Sequence, residues 1–118
     1  MLLTLLKSKI HRATVTDTRA DYAGSVSVDP ALMGAAGILE HERLLVANVS
    51  NGARFETYCI AGGEGEVTVN GAAARLAAKG DKVIIMAFCS LSPEEASLHE
   101  PGVVLVDDLN KPISPEKP

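Results

Sequence analysis

The chain has 118 residues, 47% of them hydrophobic, and carries 15 acidic against 11 basic side chains for a net charge of −4. This length corresponds to one domain, and the hydrophobic content is sufficient for a folded core. The negative charge and the scattered Lys and Arg residues exclude the basic surface with which proteins bind nucleic acid or anionic membranes.

The N-terminus begins with an apolar run, residues 1–6, which Lys7 and Lys9 follow closely. A secretory signal peptide has the opposite order, with charge before the apolar region, and a membrane span needs about 20 apolar residues. The two cysteines, Cys59 and Cys89, have neither CxxC nor zinc-site spacing. We therefore expect a cytoplasmic protein with free thiols and no metal site.

In the first part of the chain the pattern predicts two strands and one helical turn. Residues 7–16 contain β-branched residues, and residues 25–29 alternate with a period of two, as a strand does. Asp29 can cap a helix, Pro30 fits its first position and Gly37 can end it. A helical turn is therefore expected between these residues.

The rest of the chain is expected to contain mostly short strands. Asn51-Gly52 predicts a hairpin turn, and the alanine-rich residues 71–78 predict a short helix ended by Gly80. The proline-rich end, residues 111–118, is expected to fray. The strands predicted here are 43–49, 54–60, 66–69, 81–88 (inside the sheet) and 103–106. Many short strands at close spacing predict a mainly β, single-domain barrel with helical turns at its corners.

The dipeptide Gly24-Ser25 stands just before the alternating strand. A serine hydroxyl can attack the carbonyl of the preceding residue if the backbone is held out of its usual geometry, and glycine makes such geometry accessible. The product could be a new reactive N-terminus. The alternative interpretation is a turn that leads into a strand.

Polar residues interrupt the apolar strands elsewhere, although no common catalytic signature is present. Lys9 and His11 are two residues apart, so a strand directs both to the same side. Simpler explanations exist: Lys9 could be solvated, Arg54 could pair with Glu56, and Tyr58 could cover the core. The full set is Lys9, His11, Arg54, Thr57, Tyr58 and Asn70, followed by the small residues Gly71, Ala72 and Ala73.

Four segments together resemble the bacterial, pyruvoyl-dependent aspartate decarboxylase family. They are residues 7–16, 22–25, 51–58 and 70–76, in this order, and the resemblance extends to residues 80–85. It implies a double-psi β barrel that assembles as a homotetramer with active sites between subunits.

The resemblance also implies that the chain cuts itself between Gly24 and Ser25. The products would be a β chain, residues 1–24, and an α chain, residues 25–118, with a covalent pyruvoyl group derived from Ser25. That group would accept electrons as L-aspartate loses CO₂ to give β-alanine for pantothenate synthesis.

Roles for the polar residues follow from the same resemblance. Thr57 would assist the cleavage, and Tyr58 would protonate the carbanion left after decarboxylation, because a phenol carries a proton at neutral pH. The substrate-binding residues would be Lys9, Arg54, Thr57, Gly71, Ala72 and Ala73, and the pocket would be lined by His11, Tyr22 and Asn70.

One segment departs from the family pattern. Residues 59–69 form a shorter hairpin than relatives usually have, and they lack a basic residue and a Gly-Ser pair found there. The shortening could alter subunit packing or entry to the site. Two alternatives are an uncleaved binding or structural module of the same fold, and a pyruvoyl enzyme that acts on another amino acid.

Overall fold

The computed structural model describes residues 1–113, which form mainly strands. The predicted mainly β class is confirmed, and each predicted strand is found with ends that differ by a few residues. The strands of this region are β1 (Leu3–Thr14), β2 (Asp17–Arg19), β3 (Ser25–Val28), β4 (Arg43–Asn48), β5 (Arg54–Ala61), β6 (Val67–Asn70), β7 (Lys82–Leu91), β8 (Gly102–Val106) and β9 (Pro112–Ile113). The helices are α1 (Pro30–Ala36), α2 (Pro93–Leu98) and a 3₁₀ helix (Gly71–Leu76).

The strands of the described region follow one another in the order β2-β6-β3-β5-β4-β7-β1-β8-β9. β7 lies between β4 and β1, which confirms its predicted place inside the sheet. β3 pairs in parallel with β5 and antiparallel with β6, so strands distant in sequence become neighbours. Hydrogen-bonded pairing connects the strands in this order from β2 to β9. The closure of the sheet into a double-psi barrel stays a prediction.

The core lies on one face of this sheet. Ile10, Ile85, Val46 and Phe55 stand side by side on β1, β7, β4 and β5, and at most 8% of each is exposed. Since strand side chains alternate between faces, the neighbouring positions point away from the core. We call this opposite side the outer face, and its members on the same four strands are Lys9, Met86, Leu45 and Glu56.

The predicted helical turn is confirmed as α1. Asp29 Oδ1 accepts a hydrogen bond from the Ala31 N–H at 2.8 Å, as an N-cap should. Gly37 adopts a left-handed φ of 66°, and the following Ile38 N–H donates to the Met33 carbonyl. The backbone thereby reverses and leads toward β4.

The predicted short helix over 71–78 is found, but it ends earlier than expected. The helix is 3₁₀ and stops at Leu76, whose carbonyl accepts hydrogen bonds from the side chains of Asn48 (3.1 Å) and Asn51 (3.0 Å). These amides occupy the carbonyl at the point where another helical turn would begin. Gly80 lies beyond the helix and serves the turn into β7 instead, with a φ of 93°.

Three elements, β2, α2 and β9, were not predicted. In α2, Ser92 Oγ accepts from the Glu95 N–H and the Glu95 carboxylate accepts from the Ser92 N–H. This reciprocal capping box is a local signal already present in the sequence. None of the helices in residues 1–113 is long and apolar enough to cross a membrane.

The expected fraying from residue 111 is wrong for Pro112–Ile113, which pair with β8. The preceding turn is anchored by Asn110, which is fully buried. Its side chain accepts from the Thr14 N–H at 2.7 Å and donates to the carbonyls of Thr14 and Gly65. Residues 114–118, the remainder of the predicted tail, lie outside the described residues.

Candidate active site

The Gly24-Ser25 junction leads directly into β3. Ser25 pairs with Asn70 of β6, and only 1% of the residue is exposed. Its Oγ accepts a hydrogen bond from Asn70 Nδ2 at 3.0 Å and lies 3.5 Å from the Ala23 carbonyl oxygen, to which it donates. The hydroxyl is thus enclosed and oriented, as a group that must react in one geometry requires.

A close backbone approach lies beside this junction. Gly71 has a φ of 73°, and a Cβ on it would come within 2.6 Å of Gly24 Cα and 2.9 Å of Gly24 N. A side chain at this position would therefore push against the junction itself. By contrast, a Cβ on Gly24 would meet nothing within 4 Å. Asn70 and Gly71 together brace the Gly24-Ser25 bond from one side.

A second serine shares the Asn70 amide. Ser27 Oγ accepts from the same Nδ2 at 3.0 Å, and 7% of Ser27 is exposed. Thr68, its cross-strand neighbour on β6, is buried as well and donates to Glu66 Oε2 at 2.7 Å. The alternation over residues 25–29 therefore separates two buried faces, one apolar and one polar. Serine at every second position was the available signal for this polar cluster.

Tyr58 and Thr57 lie on β5, the strand next to β3. The parallel register pairs Val26 with Cys59. Tyr58 and Thr57 immediately precede Cys59 on β5, and Tyr58 lies on the outer face. Tyr58 is partly exposed, and its ring centroid lies 6.5 Å from that of His41. Tyr58 and Thr57 thus both lie on the strand that pairs with β3, immediately before the paired position Cys59.

Within one chain, the two residues expected to bind the substrate carboxylates lie farther from the Gly24-Ser25 junction than Tyr58 does. Lys9 lies on β1, three strand spacings from β5, which corresponds to roughly 14 Å between strand axes. Arg54 begins β5 on the same face as Tyr58, roughly 13 Å along the strand. Its suggested pairing with Glu56 is not observed, because Glu56 binds Arg43. Within residues 1–113, neither Lys9 nor Arg54 has an ion-pair partner.

The remaining expected site residues lie either near Lys9 on β1 or near the Gly24-Ser25 junction. His11 shares the face of Lys9 through its pairing with β8, and its Nδ1 is buried without a hydrogen-bond partner among residues 1–113. Burial lowers the pKa of His11, with further contributions from Lys9 and Arg12. Tyr22 is exposed near the junction, whereas Ala72 is exposed and Ala73 half-buried on the 3₁₀ helix.

The cysteines are free, and Cys59 is buried while Cys89 is half-buried. Burial raises the pKa of the Cys59 thiol to about 12, assisted by the nearby carboxylates of Glu40 and Glu42. Cys59 is therefore a protonated, unreactive group at neutral pH. Residues 1–113 contain no cluster of three or more His, Cys, Asp or Glu residues that could hold a metal ion.

The sequence profile of the aspartate decarboxylase family matches residues 1–113. Among curated proteins, the chain is 58% identical to an aspartate 1-decarboxylase of Caldicellulosiruptor saccharolyticus over 113 residues, covering 94% of this chain and 88% of that protein. It is 60% identical to the aspartate 1-decarboxylase of Clostridium acetobutylicum and 60% to that of Campylobacter jejuni, with 93% of this chain and 88% of each relative covered. With the family's profile spanning the whole described region, this chain belongs to the aspartate decarboxylase family.

Proposed function

We propose that this chain is a proenzyme that cleaves itself at Gly24-Ser25 and then decarboxylates L-aspartate to β-alanine and CO₂. The family match and the relatives named aspartate 1-decarboxylase support the reaction. The observation that carries the self-cleavage is the buried Ser25 hydroxyl, held at 3.0 Å by Asn70 beside Gly24, which Gly71 braces. The β-alanine serves pantothenate synthesis in the cytoplasm.

The maturation begins with an N-to-O acyl shift. Ser25 Oγ bonds to the Gly24 carbonyl carbon, the bond from that carbon to the Ser25 nitrogen breaks, and the hydroxyl proton passes to the nitrogen. Thr57, which lies on the adjacent strand β5, polarises the carbonyl during this step. The ester then loses the Gly24 carboxylate as the Ser25 Cα proton is removed, leaving a double bond at residue 25. Its imine tautomer takes up water and releases ammonia, so a ketone forms without an external oxidant.

The surroundings of Ser25 fit this pyruvoyl group. Asn70 Nδ2, which donates to the hydroxyl in the intact chain, can donate to a carbonyl oxygen on residue 25 after cleavage. A Cβ on Gly24 would meet nothing within 4 Å, so the new chain end has room to move aside in that direction, away from Gly71. When present, the pyruvoyl group supplies the electron sink that the decarboxylation needs.

The side chains of the outer face bind and protonate the substrate. Arg54 offers a planar fork that matches one carboxylate of aspartate, and Lys9 is the partner of the other. The Tyr58 hydroxyl delivers a proton to the substrate carbon from which CO₂ has left. The wider binding surface consists of Thr57 and the backbone of Gly71, Ala72 and Ala73, with His11, Tyr22 and Asn70 lining the pocket.

The enzyme acts as a homotetramer with active sites between subunits. Lys9 and Tyr58 of one chain are three strand spacings apart, so a second chain would have to bring its Lys9 to the first chain's Tyr58. The outer face also carries apolar surface suited to such contact, including Leu45, Met86 and the exposed Phe88. A cavity of about 400 Å³ opens on this face, lined by Thr4, Arg43, Leu44, Leu45, Glu56 and Phe88.

Intact mass under denaturing conditions tests the self-cleavage. Freshly purified chain, warmed for increasing times, should give two fragments that correspond to residues 1–24 and 25–118. The larger fragment should lack a free amine, and borohydride in the presence of aspartate should attach substrate or product to it. Ser25→Ala should remain whole and inactive. A wild-type chain that stays whole after prolonged warming would support the uncleaved binding module instead.

Substrate choice is tested separately. Aspartate and glutamate are supplied to the matured protein, and β-alanine and 4-aminobutyrate are measured. Aspartate should be consumed faster, because Arg54 and Lys9 are proposed to span a four-carbon diacid. Faster turnover of glutamate would contradict this assignment and support the alternative of a pyruvoyl enzyme for another amino acid.

A further inference from the structure

The buried polar cluster contains a hydroxyl that the proposed chemistry does not use. Ser27 lies two residues after Ser25 on β3, on the same face, and both hydroxyls accept from Nδ2 of Asn70 at 3.0 Å. An amide nitrogen has two hydrogens, so this one donates to Ser25 and Ser27 at once. The three side chains form a bridge whose centre is the Asn70 amide.

The bridge holds the nitrogen of the Asn70 amide between the two hydroxyls. Asn70 is 2% exposed, so its N–H groups have no ready access to water in place of these partners. If only Ser25 were present, one N–H would be buried without an acceptor, and the amide would gain by turning away from Ser25 toward another acceptor. Such a turn would weaken the hydrogen bond to Ser25 Oγ. Ser27 keeps the amide in place because it accepts the second hydrogen.

We infer that Ser27 is a positioning residue for self-cleavage, which acts through Asn70 to hold the Ser25 hydroxyl in one orientation. This inference rests on the proposed self-processing function. The relevant step is the acyl shift, in which Ser25 Oγ bonds to the Gly24 carbon as the carbon–nitrogen bond breaks and the proton moves to nitrogen. Gly71, packed against Gly24, limits movement of the acyl side. Ser27 correspondingly limits movement of the nucleophile, the Ser25 hydroxyl, through their shared partner Asn70.

The experiment follows the fraction of intact chain with time for freshly purified Ser27→Ala, by denaturing mass spectrometry. Loss of one hydrogen bond in the bridge should slow cleavage on the order of ten-fold. Ser27→Thr retains a hydroxyl at the same place and should restore the rate to within about two-fold of wild type. This rescue distinguishes positioning by a hydroxyl from a general requirement for serine packing.

A matched control is available across the strand pair. Thr68→Val removes a hydroxyl that is equally buried and directly opposite Ser27, but which binds Glu66 and not Asn70. Cleavage of Thr68→Val should proceed near the wild-type rate. Thermal unfolding of all variants, measured in a Ser25→Ala background that cannot cleave, separates rate effects from lost stability.

The outcomes separate the inference from the proposed function. A wild-type rate for Ser27→Ala, in a protein whose wild-type chain cleaves, overturns the role of Ser27 and leaves the function intact. Equal slowing by Thr68→Val and Ser27→Ala, in proportion to lost stability, also overturns it. Failure of the wild-type chain to cleave at all overturns both.

Discussion

Ser25 and Tyr58 occupy neighbouring strands but very different surroundings. Ser25 is enclosed by β6 and the backbone of Gly71, whereas 38% of Tyr58 remains exposed on the outer face. An enclosed hydroxyl suits a reaction that occurs once and must avoid competing hydrolysis. An accessible phenol suits a group that must meet a new substrate molecule in every turnover. The enclosure of Ser25 matches the cleavage stage that we propose. For turnover, the new chain end at Gly24 must move aside so that the substrate reaches residue 25.

Replacement of Tyr58 by phenylalanine tests this division of roles. Tyr58→Phe should cleave at the Gly24-Ser25 bond like wild type, because its hydroxyl is not part of the bridge on Ser25. Its kcat for β-alanine formation should fall by about 10²- to 10⁴-fold, the usual contribution of a general acid. Cleavage is followed by mass and turnover by β-alanine. Full activity of Tyr58→Phe would exclude this residue as the proton donor.

At the scale of elements, Asp29 joins three parts of the fold that are distant in sequence. It caps α1, accepts from the Gly65 N–H in the loop before β6 at 2.8 Å, and lies 3.9 Å from Lys111 Nζ before β9. The Gly65 hydrogen bond is the main cause that lowers the pKa of Asp29, with Ala31 and Lys111 adding to it against the opposing effect of burial. The loop before β6 is thus attached to the helix by one carboxylate.

Removal of that charge should have a pH-dependent effect on stability. Because the pKa of Asp29 is lowered below its ordinary 3.8, the unfolded chain binds the proton more readily. The stabilisation is therefore complete above the unfolded value and is lost as the pH falls through the folded one. Asp29→Asn, which can still cap α1, should cost on the order of 1 kcal/mol at neutral pH. In thermal unfolding, a difference from wild type that stays constant down to pH 2 would contradict this.

At the scale of the whole molecule, one chain does not bring its expected substrate-binding and acid groups together. Lys9 and Tyr58 share the outer face but are separated by β7 and β4. Apolar side chains cover the same face, and a face of this kind favours association with another copy. The proposed tetramer would therefore complete the site as well as bury surface.

Hybrid tetramers test whether sites are shared between subunits. Lys9→Ala and Tyr58→Phe chains, each with a different affinity tag, are co-expressed and the mixed assemblies are purified. If each site takes Lys9 and Tyr58 from different chains, roughly a quarter of randomly formed interfaces would carry both native residues. The hybrid should then be far more active than either parent. Activity no higher than that of the parents would place both residues in one chain's site.

Local features of the sequence were sufficient for much of this protein. The α1 helix follows from Asp29, Pro30 and Gly37, because capping and chain reversal depend on a few adjacent residues. Alternation of apolar and polar residues predicts strands, and the order of a few short segments along the chain is enough to indicate the family. The end of the 3₁₀ helix was not readable, because Asn48 and Asn51 reach its last carbonyl from another part of the chain.

The sequence by itself determined the mainly β class, the α1 helix, the family and the Gly24-Ser25 dipeptide as the candidate reactive bond. Only the tertiary structure decided what surrounds that bond. Asn70 reaches Ser25 across 45 positions, and Gly71 approaches Gly24 because β6 pairs with β3. Strand pairing between distant segments depends on how the whole sheet packs, which no local pattern encodes. For the same reason, the shared amide that connects Ser25 to Ser27 became visible only in the folded chain.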